Sequence, residues 1–476
     1  MFQSMLHHNR FKSHFRILLG GLSALLACTA MAGPTQVPIC KTDQSVPGDL
    51  ETGNNYGASV AAETYAVVGA PEQDRFVSGM NLDDVGAAYV LKQSGSDWVV
   101  GEKLQPHPEN PNLVQEMEHF GDAVDTDGDV IIVGAWGRDV GIADDAGAAY
   151  MFRRNDSTGD WEQEQVLTAS DGNFDDHFGG FTDPSFDEFS NVYASRPQAV
   201  AVDGNLAVVG AADDDSSGQP GLTDTGSAYI FRYDKTGATP QWIEEQNIHT
   251  PDPQSGVRFG WSVDVDASAG RVVVGEPFRK HPDALGNEGR AYVFELDGSG
   301  QWVHEATFQA EVPMQNDAFG WSVSIDGNNI IVGAPSNGVN GEIGFATIFT
   351  LDNGVWQQEQ TLTPLAPDDE PNIRFGYSAH LDGRSVLIGA IKRNDPGIGT
   401  DVGAAFMFTR EPEQWTESLK ILPDDNLAHA EDRYGISVAL TGDNAFAGAR
   451  TDEPASAPTS DDRGASYAYS DVPNCN

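Results

Sequence analysis

Basic residues are scarce in this chain: 27 Lys and Arg stand against 72 Asp and Glu, a formal net charge of −45 over 476 residues. A surface of that sign repels nucleic acid and anionic lipid, so neither is expected as a main partner. It suits a protein kept soluble in salty water, or one that attracts cations. Cysteine is rarer still, with only Cys28, Cys40 and Cys475. Past the N-terminal region no apolar run approaches the roughly 18 residues that a membrane span needs, so none is expected. Catalytic signatures are missing too: there is no His-Glu-x-x-His, Walker loop, Cys-x-x-Cys or Gly-x-Ser-x-Gly. No Arg-Gly-Asp tripeptide occurs. His107, His119, His177, His249, His281, His304 and His429 are scattered without ligand spacing.

What is present begins with Arg10, Lys12 and Arg16, an apolar run from Ile17 to Ala27, and Ala30-Met31-Ala32. That order reads as a secretory signal peptide over 1–32, cleaved after Ala32. An alternative uses Leu25-Leu26-Ala27-Cys28 as a lipoprotein box with Cys28 acylated. The mature protein is therefore expected to be secreted, periplasmic or displayed at the cell surface, and to act as a monomer. Cys40 and Cys475 remain at opposite ends of it, and an even pair in an exported protein suggests a disulfide. Such a bond requires the two ends to meet in space, which a closed ring would supply.

The stretch Phe319 to Leu362 shows the repeating unit. Four short apolar runs, Trp321 to Ile325, Asn329 to Val332, Gly344 to Phe349 and Val355 to Leu362, alternate with turn residues. Asp326-Gly327 is the expected centre of the first hairpin, as a type I′ turn. Gly-Ala-Pro or a variant closes the second strand seven times, at Gly69, Gly134, Gly210, Gly275, Gly333, Gly389 and Gly448. A Phe-Gly or Tyr-Gly opens six of the seven units, at Tyr56, Phe120, Phe259, Phe319, Phe375 and Tyr434. Third strands read Gly-x-Ala-aromatic. A Trp opens the fourth strand with an apolar partner six residues on, as in Trp161 and Leu167, and an even offset predicts one shared face. The seventh unit stops after Tyr469 without such a strand, while Pro34 to Cys40 precedes the first unit and belongs to none.

Seven such units predict an all-β fold, a seven-bladed β-propeller of four-stranded antiparallel blades. Residues 33–55 are expected to supply the outer strand of the last blade and close the ring, with Pro34 to Cys40 as that strand and Cys40 to Cys475 as its fastening. Residues 56–476 form the propeller. Phe-Gly-x-Ser-Val followed by Val-Gly-Ala-Pro resembles the FG-GAP repeat, the unit of the integrin α-subunit propeller and of many exported bacterial proteins. The resemblance runs from about Tyr56 to Tyr469. It implies a seven-bladed propeller, extracellular placement, and adhesion or ligand binding.

Integrin-type repeats often carry a calcium loop in the first hairpin, but here the hairpin is shorter. Asp125-Thr126-Asp127-Gly128-Asp129 falls in a tight turn that cannot wrap a cation with six to eight oxygens. A closer candidate for calcium is Asp171, Asn173, Asp175 and Asp176, in a loop before a first strand; Asp213 to Asp215, Asp368 to Glu370 and Asp424-Asp425 are expected as solvated acidic loops at the same end of the ring. The third unit departs from the pattern: Arg196-Pro197 stands where Phe-Gly is due, and Phe178-Gly179 lies earlier. An insertion over 180–195 thus adds Phe181, Phe186, Phe189 and Tyr193, which would cap the channel or meet a partner. Ser378 and His380 form the nearest nucleophile pair, but serines recur at that slot (Ser59, Ser262, Ser322, Ser437), which points to blade building.

The expected function is an exported, non-enzymatic binding or adhesion module for a protein or glycan, with no certain cofactor. Two alternatives are a secreted lyase or glycosidase built across the ring and a calcium-dependent structural protein of the envelope.

Overall fold

The computed structural model describes residues 42–45, 47–51, 53–95, 97–108, 110–180, 198–215, 221–280, 286–336, 343–366, 368, 370–412, 414–423, 430–451 and 463–470. Among them are seven four-stranded antiparallel sheets and one small two-stranded hairpin, Arg75–Val77 with Met80–Leu82. Numbered in chain order, blade 5 is Ser322–Asp326, Asn329–Ala334, Phe345–Asp352 and Val355–Leu362. The first strands of successive blades adjoin one another, and that of blade 7, Val438–Thr441, adjoins that of blade 1, Val60–Ala62, so the ring is closed. Blade 7 takes its outer strand from Thr42–Ser45, which pairs antiparallel with Ala465–Tyr469. The closing strand therefore lies just after Pro34 to Cys40; that stretch, Cys28 and Cys475 fall outside the described residues.

Seven apolar clusters fill the seven gaps between blades. In the gap between blades 4 and 5, Val273, Val293 and Phe308 meet Phe319, Val323, Ile325 and Val332. Blade 7 meets blade 1 in the same way, through Ala439 and Phe446 against Tyr56, Val68 and Trp98. Each blade buries against its neighbours what it would expose alone.

Polar side chains of the first strand form a second set of clasps, dictated by the two-residue period of a strand. The second, fourth and sixth residues after the aromatic-Gly glycine, and in blade 3 the residues that align with them beyond the insertion, point to the next blade. At the second position, Ser59, Ser262, Ser322, Ser378 and Ser437 donate to the carbonyls of Gly121, Gly320, Gly376, Gly435 and Gly57 at 2.8 to 3.0 Å. The last of these crosses the closure from blade 7 to blade 1. At the fourth, Asp125, Asp264, Ser324 and His380 accept from the amides of Val202, Ile325, Leu381 and Leu440. At the sixth, Asp127, Asp203, Asp266, Asp326 and Asp382 accept from turn amides of the following blade. The recurring Ser and Asp are thus structural. The Gly-Ala-Pro glycine makes room for the same approach: a Cβ on Gly333 would stand 2.2 Å from the Gly376 carbonyl oxygen.

Three local expectations are corrected. Asp326 pairs with Asn329, so the hairpin centre is Gly327-Asn328. Only Gly327 has positive φ, at 57°, which is the pattern of a type II′ turn and not of type I′. The Trp and its apolar partner lie on opposite faces. Trp161 packs between blades 1 and 2 and Leu167 between blades 2 and 3. The cause is a bulge: Met151 pairs with Gln165 and Phe152 with Gln163, which leaves Glu164 extra and inverts the alternation. In the third unit, Phe178-Gly179 itself takes the Phe-Gly position. Gly179 donates to the Gly210 carbonyl at 2.9 Å, and Phe178 bridges Gly147 as Phe120 bridges Gly86. All seven units therefore have the pair, and the insertion follows it.

Candidate functional site

Antiparallel alternation sends the loops before each first strand and after each second strand to one end of the ring, the loop face. At its centre the residue before each aromatic-Gly pair adopts a left-handed conformation in all seven blades: Asn55, His119, His177, Arg258, Ala318, Arg374 and Arg433, with φ from 52° to 58°. The strain is held by backbone bonds to the preceding blade, from His119, His177, Arg258 and Arg433 to the carbonyls of Asp84, Asp145, Asp224 and Asp401. These residues line up around the axis, and five of the seven are basic or imidazole.

The two halves of this mouth differ. From blades 4 to 7, Trp261, Phe278, Trp321, Tyr377, Ile391 and Ile436 form one buried apolar cluster, with Trp321 4.8 Å from Trp261 and 5.3 Å from Tyr377 between ring centroids. Toward blades 2 and 3 the contacts are polar. His119 stacks on Trp136 at 4.3 Å, and Trp136 meets the edge of His177. Asp213 bridges the His177 Nδ1 at 2.8 Å and the Arg258 Nε at 3.0 Å. Burial, with Arg450 nearby, holds His119 down at about 4.

Of the four residues expected to hold calcium, Asp175 meets Asp145 and His177, with one ligand atom from each lying within 4.8 Å of the others. The other three have protein partners. Asp171 accepts from Tyr229 at 2.9 Å and from Asn247 at 3.2 Å; the Asn173 side chain donates to the Asp171 carbonyl; Asp176 accepts from the Asn173 amide. Burial pushes Asp176 up to about 7. Two carboxylates and an imidazole suit a transition metal better than calcium, which prefers six to eight oxygens. Phe181, Phe186, Phe189 and Tyr193 lie outside the described residues, as do Asp424 and Asp425.

Several acidic loops expected to be solvated are instead engaged. Asp214 is buried and accepts from Tyr229 at 2.9 Å. Asp368 bonds Arg393 at 2.8 Å and Lys420 at 2.6 Å, and although burial pushes its carboxyl up, those two cations leave it below the ordinary range. Ser378 donates to Gly435, and His380 is a half-buried acceptor held low by desolvation, so the nearest nucleophile pair is committed to blade contacts.

A feature missed in the sequence is the bulged glutamate three residues after the Trp. Glu164 takes both ends of Arg153 and the Trp242 indole of the next blade; Glu245 does the same with Arg232 and Trp302. The next residue, as Gln165, Gln246 and Gln360, clasps the backbone of the following Trp through both amide atoms. The signal was legible as Trp-x-x-Glu-Gln.

Large apolar side chains are also exposed on the loop face: Phe76 and Met80 on the small hairpin, Leu113 and Met117, Ile142, and Phe174, followed by Val312, Met314 and Leu365. The first six belong to loops of blades 1 and 2. No helix among the described residues is long and apolar enough to cross a membrane.

No curated protein matches the chain. The crystal structure of Saccharomyces cerevisiae Sqt1 is similar over 91% of this chain and 99% of that one, at 10% identity and a TM-score of 0.43. The model of the FG-GAP repeat matches residues 114–152, 197–231, 242–294, 302–348, 356–408 and 415–469. With the aromatic-Gly and Gly-Ala-Pro positions occupied in every blade, the chain belongs to the FG-GAP repeat family.

Proposed function

We propose that this protein is an exported, non-enzymatic binding or adhesion module whose loop face meets a protein or glycan ligand. The observation that carries the reading is the row of exposed apolar side chains on that face, Phe76 (74% exposed), Met80, Leu113, Met117, Ile142 (86%) and Phe174. Apolar groups gathered on one face mark a surface that gains by being covered. The recurring serines, aspartates and glutamates are committed to clasps between blades, which supports a scaffold role for them over a catalytic one.

The test is a binding screen of the secreted protein against extracellular-matrix proteins and glycan arrays, repeated with Phe76→Ser, Met80→Ser and Ile142→Ser together. Binding that falls at least tenfold in the triple variant at unchanged Tm supports the reading. Ligands that bind both forms equally refute it.

The cluster of Asp145, Asp175 and His177 favours a second reading, a metal-stabilised ring. A Tm that rises with zinc or calcium in the wild type and not in Asp175→Asn would establish it; a Tm indifferent to both metals and to chelator would remove it.

A further inference from the structure

At the opposite, hairpin end of the ring, blade 3 carries a cleft of about 540 Å³ lined by Asn205, Ile243, Glu245 and the run from Arg232 to Thr236. Its size falls within the range of small-ligand sites. Two departures from the repeat build it. The residue opposite each fourth-strand Trp is Gln93, Arg154, Leu296, Leu351 or Arg410 in the other blades, but Tyr233 here. The connection that follows pairs Asp234 with Gln241 across residues 235–240, whereas blade 5 turns through Asn353-Gly354 alone.

The lining is chemically mixed. Tyr233 is held from behind by neighbours outside the cleft wall: Arg153 lies 4.3 Å over its ring, Trp242 packs at 5.1 Å, and its hydroxyl donates to Glu164 at 2.6 Å. The ring is therefore fixed before any ligand arrives. Ile243 beside it is 42% exposed. Around this apolar floor stand donors, the exposed Lys235 ammonium and the Arg232 guanidinium, and acceptors, Glu245 and Asp234, the latter already accepting from Thr236. Arg232 and Glu245 form a two-point ion pair at 2.8 Å. The Lys235 ammonium stands 5.4 Å from the centre of the Tyr233 ring, so a ligand seated there meets it directly, and the Asn205 side chain has no hydrogen-bond partner among the described residues. The lining charges cancel, two of each sign, so the cleft selects for neither anion nor cation. The field of a chain with net charge −45 disfavours a polyanion further.

An aromatic platform, a rim of both donors and acceptors and no net charge suit a ring that is apolar on its faces and hydroxylated around its edge. We infer that this cleft binds a neutral hexopyranose unit of a glycan, seated on Tyr233 and Ile243 with its hydroxyls toward Asn205, Asp234 and Lys235. The inference stands apart from the loop-face reading, since the two surfaces lie at opposite ends of the ring.

The test is calorimetric titration of the full mature chain with cellohexaose, mannohexaose and chitohexaose. At least one should bind, with Tyr233→Ala weakening it at least tenfold and Lys235→Ala or Asn205→Ala weakening it several-fold. Tyr233→Phe and the Phe76→Ser variant should bind as the wild type does. The solvent-facing Lys235 and Asn205 variants keep the test valid if Tyr233→Ala fails to fold. No heat with any of the three sugars at 10-fold millimolar excess, or affinity unmoved by Lys235→Ala and Asn205→Ala, overturns the inference and leaves the loop-face proposal untouched.

Discussion

Around the loop-side mouth, blades 4 to 7 place Trp261, Trp321, Tyr377 and Ile436 directly after the aromatic-Gly pair, whereas blades 1 to 3 place Ala58, Asp122 and Gly180 there. The aromatic-Gly pair just before that position is present in both halves. The contrast shows that the repeat separates two jobs by position: residues facing the next blade are constrained by backbone that must be satisfied, and those facing the axis are free to diverge. One half of the mouth has become a core, and the other a set of stacked imidazoles and ion pairs.

The largest effect is expected where both halves share a constraint. Gly333→Val would drive a side chain into the Gly376 backbone, so the blades cannot meet, and the variant should lose the folded state outright, a cost above about 4 kcal/mol. Circular dichroism and solubility after refolding check it. Trp321→Ala then measures the apolar half: a cavity in a buried cluster should cost about 3–5 kcal/mol by denaturant unfolding. Its counterpart His119→Ala removes the stack on Trp136 and the ring's hydrogen bond to the Pro71 backbone, and should cost about 1–3 kcal/mol. Equal losses at the two sites would erase the distinction between halves. Ser322→Ala strands the Gly376 carbonyl and should cost about 1–3 kcal/mol. Blade 2 already has Ala123 at this slot, so Ala123→Ser tests whether the missing clasp can be restored.

The smallest expected effect is that of pH. Burial raises Asp84 to about 6 and Asp176, Asp264 and Glu276 to about 7. Between the ordinary carboxyl range near 4 and these values, the folded chain holds more protons than the unfolded one, so stability rises as pH falls from 7 toward 5. His119, His249 and His380, all lowered, act in the opposite sense below about 6.5, where the unfolded chain takes up their protons more readily. The raised carboxyls, which also include Glu118 and Asp125, outnumber the three lowered imidazoles and give a net Tm increase of a few degrees, and Asp176→Asn should reduce the slope. A Tm that falls steadily over this interval would contradict that balance.

The architecture was legible because its signals are local and repeated: aromatic-Gly, Gly-Ala-Pro and Gly-x-Ala each sit within a few residues of the turn or close approach they serve. The Trp and its partner were misread because a bulge leaves no mark on a pattern counted residue by residue, although Glu164 and Glu245 at the bulge could have shown it. The left-handed residues before each aromatic-Gly carry His, Arg, Asn or Ala and not Gly, so composition hides them; only the bond to the preceding blade reveals the conformation. The mouth was illegible for a different reason. His119 and Trp136 belong to the second unit, His177 and Asp213 to the third and Arg258 to the fourth, and only the packing of these successive blades brings them together.

Thr42–Ser45 leaves the ribosome long before its partner Ala465–Tyr469. The final blade therefore cannot assemble during synthesis, and its completion must wait for an encounter between segments more than four hundred residues apart.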